Sequence, residues 1–144
     1  MSVKEKFDII EKITIPMKSD QELKVIELTE KLALRHGFDR NSIDEMKLAV
    51  IEAVINAIEH GRNKERLVYI TLGVCLMPLQ MTIIISDSGS GFNPDSVQEP
   101  DIKNKMHKKE RKRGWGLKLM RSMMDEVRID SSPGSTQVTL VKNG

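Results

Sequence analysis

Glu52, Asn56 and His60 stand four residues apart in the segment Glu52-Ala53-Val54-Ile55-Asn56-Ala57-Ile58-Glu59-His60-Gly61. A carboxylate, a carboxamide and an imidazole can accept protons, ligate a cation or hydrogen-bond a polar ligand. At about 100° per residue the three fall within a narrow arc of one helix face. Ala53, Val54, Ala57 and Ile58 take the opposite arc, toward a core. Such a helix buries its back and lines up polar groups on its front, which suits a metal-bound polar ligand. Taken alone, such a set is more often a solvated polar stripe, so its meaning depends on the rest of the chain.

A second segment, Asp87-Ser88-Gly89-Ser90-Gly91-Phe92, follows the apolar run Met81–Ile85. A carboxylate at a strand end can accept a hydrogen bond from an exocyclic amine such as adenine's. Gly89 and Gly91 let the backbone turn tightly against a ligand, although Asp-Ser-Gly is also ordinary turn chemistry. The third segment is Gly114-Trp115-Gly116-Leu117. Glycines just before a helix leave N–H groups free to bind phosphate, aided by the helix dipole. In the preceding basic run, Lys108-Lys109-Glu110-Arg111-Lys112-Arg113, most side chains read as a solvated loop. Lys112 and Arg113, nearest the glycines, are the candidates for neutralising phosphate charge.

These groups need elements to hold them. Residues 7–17 contain Ile9, Ile13 and Ile15 at even spacing and predict a strand ending near Pro16. Ser19 with Glu22 forms a capping-box pattern for a first helix that stops at Gly37. Asn41 or Ser42, with Asp44 and Glu45 in the first turn, is expected to start the second helix, and Gly61 to end it. Val68, Ile70, Leu72, Val74 and Leu76 alternate as a half-buried strand, and Met81–Ile85 returns beside it after the turn at 77–80. Residues 88–115 lack sustained periodicity and read as a long loop, of the kind that often serves as a lid. Leu117–Asp125 regains helical spacing. Val127–Ile129 and Gln137–Val141 form a last hairpin around Ser132–Ser135. The order predicts one domain over residues 1–144 with a lid at about 92–113. Its expected fold is an α/β (α+β) two-layer sandwich, with helices on one face of a mixed, largely antiparallel sheet.

Composition bounds the partners. The 144 residues are 39% hydrophobic and 31% charged, as in a soluble globular domain. No apolar run approaches the roughly 18 residues of a membrane span, and the charged N-terminus does not read as a signal peptide. The single cysteine, Cys75, lies in an apolar run and reads as a buried thiol, so a cytoplasmic protein without an internal disulfide is expected. A net charge of +2 and few aromatic residues argue against direct nucleic-acid binding.

Together, E-x-x-x-N-A-x-x-H (52–60), D-x-G-x-G-F (87–92) and G-x-G-L (114–117) resemble the N, G1 and G2 boxes of the GHKL ATPase superfamily, across about residues 7–141. The free-standing size and the phrases Leu48–Val54 and Met123–Val127 are similar to anti-sigma-factor serine kinases. That resemblance implies ATP and Mg²⁺ as cofactors. It casts Asn56 as the metal ligand and Glu52 as the general base for a serine hydroxyl. Asp87 would read adenine, with Gly89 and Gly91 shaping its pocket. Gly114, Gly116 and Leu117, with Lys112 and Arg113, would lie at the phosphates, and Thr136 near adenine. It also implies homodimerisation, a sigma factor as partner and a small anti-sigma-factor antagonist as phosphorylation substrate. There are departures. Ile55 stands where some relatives carry Thr, Gly134-Ser135-Thr136 leaves the placement of Thr136 open by one residue, and Trp115 is bulky between two glycines. His60 reads as support more than as a catalyst.

Competing readings are a nucleotide-gated regulator that binds partners without efficient transfer, and the ATP-binding domain of a sensor histidine kinase. Glu52 favours the kinase over the first, since a module that only binds ATP has no use for a base there. No phosphoacceptor helix pair precedes the first strand, which argues against a complete sensor kinase. No transducer domain follows residue 141, so a gyrase- or Hsp90-like ATPase is the least expected.

Overall fold

Apolar side chains recur at every second strand position, and this alternation decides which face of the sheet is buried. The computed structural model of the chain describes residues 7–18, 20–60, 67–87, 108–132 and 135–144, with the backbone path alone for 59, 60, 108–115, 132 and 135. The elements are β1 (Ile9–Pro16), α1 (Glu22–Arg35), α2 (Arg40–His60), β2 (Leu67–Leu76), β3 (Leu79–Asp87), α3 (Lys108–Met123), β4 (Glu126–Ser132) and β5 (Ser135–Asn143). The strands form one sheet in the order β1-β2-β3-β5-β4, antiparallel at each described pairing. The expected two-layer α+β sandwich is what the chain forms.

Val68, Ile70, Leu72 and Val74 of β2, with Met81, Ile83 and Ile85 of β3, point to one face and are at most 1% exposed. Val25, Leu32 and Ala33 of α1 and Met46, Ala49, Val50, Ala53 and Val54 of α2 pack on them in a single core. Full burial of one such branched or long side chain contributes about 1.5–3 kcal/mol, so this layer holds α2 firmly against the sheet. Among the described residues no helix is long and apolar enough to cross a membrane.

Local chemistry sets the helix ends. Gly37, at φ +93°, follows α1 as expected. Its N–H donates to the Leu34 carbonyl and that of Phe38 to the Ala33 carbonyl, the Schellman closure that favours glycine. The start of α1 differs from the capping-box expectation. Gln21 precedes the helix without a side-chain cap, and Ser19 lies outside the described residues. The start of α2 differs too. Asp39, not Asn41 or Ser42, is the cap: its Oδ1 accepts from the Ser42 N–H at 2.7 Å. That hydrogen bond holds the Asp39 carboxyl below its ordinary pKa. The helix therefore begins at Arg40, and Asp44 and Glu45 fall in its second turn. Glu30 of α1 pairs with Lys47 and with Arg40, each at 3.1 Å, joining the two helices. The hydrogen bond from Lys47, then that from Arg40, lowers its pKa. With solvent reaching every partner, these pairs add little stability.

The largest difference lies at α3. The basic run read as loop is the first part of this helix, which begins at Lys108 rather than near Leu117. Lys, Arg and Glu have high intrinsic helix propensity, and a run without apolar periodicity can still be helical. The rest of the expected lid, residues 92–107, lies outside the described residues. At the other end of α3, Lys142 of β5 donates to the Met123 carbonyl and to Glu45 of α2, each at 2.5 Å. A lysine at a helix C-terminus satisfies an otherwise unbonded carbonyl and complements the dipole. This contact ties α3 to both layers and sets where its upstream turns cross α2.

Candidate functional site

β3 ends at Asp87, and the sheet register sets Asp87 directly opposite Thr136 of β5. Facing residues of an antiparallel pair project to the same side, with Cβ atoms about 4.5–5.5 Å apart. Here that side is the helical one, and Asp87 is 5% and Thr136 6% exposed. The next residue, Gln137, points outward and is exposed. Asn56 of α2 lies over the same spot, 9% exposed.

These three polar side chains share a cleft with Ala57, Ile85, Met120, Ile129 and Val138. The cleft has a volume of about 20 Å³, room for a single water, so a larger ligand needs its walls to part. Thr136 Oγ1 is shielded from solvent and has no hydrogen-bond partner among the described residues. An orphaned buried hydroxyl costs about 1–3 kcal/mol, and its persistence calls for a partner brought by a ligand or water.

Glu52 lies one turn before Asn56, part-buried on the flank of α2 that faces α3. There Gly116 crosses it: a Cβ at position 116 would sit 2.6 Å from Glu52 Oε1 and 3.7 Å from Asn56 Nδ2. Only glycine permits this approach. The obstructing atom is the tip of a flexible carboxylate, so an added methyl displaces Glu52 rather than the helix. Gly116→Ala is expected to keep or raise the melting temperature, since alanine is favoured inside a helix by about 1 kcal/mol. Any activity that uses Glu52 should nevertheless fall, by up to about 100-fold for a shift near 1 Å. Parallel melting and turnover measurements would separate the two effects.

The structure thus brings Glu52, Asn56, Asp87, Gly116 and Thr136 around one cleft and its α3 edge. Gly114 lies in the second turn of α3 and Gly116 in the third, not at its start. As interior helical positions their N–H groups aim at carbonyls one turn back, unlike the free cradle expected at a helix opening. Leu117, 3% exposed, packs in the core. Lys112, Arg113 and Trp115 are described by backbone alone, as is His60 at the end of α2. Gly89 and Gly91 lie outside the described residues. Sequence reasoning missed the apolar walls Ile85, Ile129 and Val138, because only cross-strand register brings β3, β4 and β5 together there. Alternation along β5 was the one available signal.

Residues 15–142 match the family described as Histidine kinase-like ATPase domain. A protein of Oceanobacillus iheyensis named Serine-protein kinase RsbW is 32% identical over 106 residues, covering 72% of this chain and 67% of that protein. One of the same name from Bacillus mycoides is 32% identical over 136 residues, 92% of this chain and 83% of its own length. A crystal structure containing RsbU and RsbW domains from Mycobacterium tuberculosis superposes with a TM-score of 0.67 at 20% identity, a likeness of fold. It covers 93% of this chain, and the chain spans about a third of that solved one, 32%.

Proposed function

This chain belongs to the histidine kinase-like ATPase family, and within it to the anti-sigma-factor serine-protein kinases; on that premise we propose that it transfers the terminal phosphate of ATP to a serine of a small anti-sigma-factor antagonist, and that it also binds a sigma factor. The proposed setting is the cytoplasm, with a homodimer as the working form and neither nucleic acid nor membrane as a direct partner.

The observation that carries this reading is the Thr136 hydroxyl, without a hydrogen-bond partner among the described residues, facing Asp87 in a cleft that Asn56 and apolar side chains complete. Apolar walls suit a purine ring. The Asp87 carboxylate accepts from the adenine amine, and Thr136 takes a further hydrogen bond from or to the ring. A guanine would present a carbonyl oxygen to Asp87, acceptor against acceptor, and be rejected. Asn56, between this cleft and Glu52, offers a carboxamide oxygen toward the phosphates.

That oxygen fits Mg²⁺, which typically takes only one or two protein ligands and fills its shell with phosphate oxygens and waters. Bound there, Mg²⁺ would offset phosphate charge. Glu52 then removes the proton from the serine hydroxyl as its oxygen bonds to the terminal phosphorus and the bond to the ADP oxygen breaks. Lys112 and Arg113 neutralise phosphate charge, with Gly114 and Gly116 giving close backbone approach. Gly89 and Gly91 complete the adenine pocket.

Thr136→Val tests the carrying observation. Valine has nearly the same shape and removes the orphan, so the free protein should melt at a higher temperature while ATP affinity drops about 5- to 10-fold. Equal ATP affinity in both proteins would place the nucleotide elsewhere. The transfer itself is tested with Mg²⁺, labelled ATP and the products of neighbouring genes. Label on the serine of a small neighbour is expected. Nucleotide-dependent co-purification without label would instead indicate a binding regulator.

A further inference from the structure

The outer ridge of α2 is apolar where a solvent-facing helix is ordinarily polar. Met46, Ala49, Val50, Ala53 and Ala57 turn toward the sheet and are buried. At about 100° per residue the positions pointing directly away are Asp44, Leu48, Ile51 and Ile55. Leu48 is 45% exposed, and Ile51 and Ile55 are part-exposed. The two flanks of the helix are otherwise engaged, Lys47 with Glu30 of α1 and Glu45 with Lys142 of β5. Three branched apolar side chains at i, i+3 and i+7 have the spacing by which a helix face anchors a partner, and a helix apolar on both faces is one that gets covered.

Glu52 identifies what covers it. It stands one turn beyond Leu48, about 6 Å along the axis, and about 4.5 Å before Ile55, on the shoulder of the same ridge. Asn56, one turn further along and turned more toward the sheet, faces the cleft that Asp87 and Thr136 line. A serine hydroxyl delivered to Glu52 arrives embedded in the surface of its own protein, and that surface must lie across Leu48 and Ile55. We propose that Leu48, Ile51 and Ile55 form the docking ridge for the protein that presents the acceptor serine, through an apolar patch beside that serine. This inference rests on the kinase reading and adds to it where the substrate is held.

The test uses the full chain carrying Leu48→Gln and Ile55→Gln. Glutamine is a good helix former, so the helix should persist, with the melting temperature as control. Should the pair melt lower, Leu48→Gln alone, at the most exposed position, reads the same quantity. The probe is the neighbouring-gene product that takes up label from ATP with the parent protein. Its kcat/KM should fall at least about tenfold, through KM rather than kcat, with ATP affinity unchanged. An unchanged KM with the labelled acceptor overturns the ridge and leaves the kinase reading standing. A parallel loss of ATP affinity overturns it in favour of a cover from the chain's own nucleotide-binding segments. Conversion of a dimer to a monomer at unchanged acceptor KM overturns it in favour of a second copy. A parent that labels no protein sinks the kinase reading and the ridge with it.

Discussion

Replacing Glu52 by glutamine is expected to leave ATP binding intact and to slow phosphate transfer by about 10²–10⁴-fold, the usual contribution of a positioned general base. The substitution keeps the shape that Gly116 packs against and removes only the ability to take a proton. Glu52 sits one turn from Asn56, so it can meet an incoming hydroxyl without itself holding the metal. Its position on the α3 flank keeps it out of the cleft that Asp87 and Thr136 line. Nucleotide titration beside a transfer assay makes the separation visible. Transfer at the parent rate would mean that the base has been misassigned.

Asn56→Ala is expected to fail earlier, at binding. The residue is 9% exposed and shares the cleft with Asp87 and Thr136. Losing a hydrogen-bonding or ligating contact to charged partners in such a place costs about 1.5–3 kcal/mol, roughly 10- to 100-fold in Kd. The loss should be large for ATP with Mg²⁺ and small for the metal-free nucleotide, which isothermal titration in the two conditions can compare. Equal losses in both would assign Asn56 to packing and not to the metal. The two variants therefore dissect one helix face: Glu52 governs a rate, Asn56 an affinity.

Much of this site was legible because period alone encodes it. The four-residue spacing of Glu52 and Asn56, with Ala53, Val54 and Ala57 behind them, places polar groups forward and the core behind on any helix, and the structure has that arrangement. Alternation in β2 and β3 likewise required a hairpin with one buried face. What spacing cannot carry is register. Asp87 and Thr136 are 49 positions apart and meet only because β5 inserts between β3 and β4. The start of α3 was hidden for another reason, since Lys108–Arg113 has helix propensity without the apolar stripe that announces a helix. Asp39 was passed over as a cap because Asn41 and Ser42, equally good cap residues, follow within three positions. Only the bond to the Ser42 N–H decides among them.

The reading that separates a serine kinase from its nearest alternatives is the chemistry of the transferred phosphate. The protein, Mg²⁺, ATP labelled at the terminal phosphate and the neighbouring antagonist would be incubated together and the product exposed to acid. A phosphate ester on serine survives that treatment, whereas a phosphoramidate on histidine does not. Acid-stable label, recovered as phosphoserine in the antagonist and lost with Glu52→Gln, is the predicted result. Acid-labile label, or label confined to this chain, would contradict it.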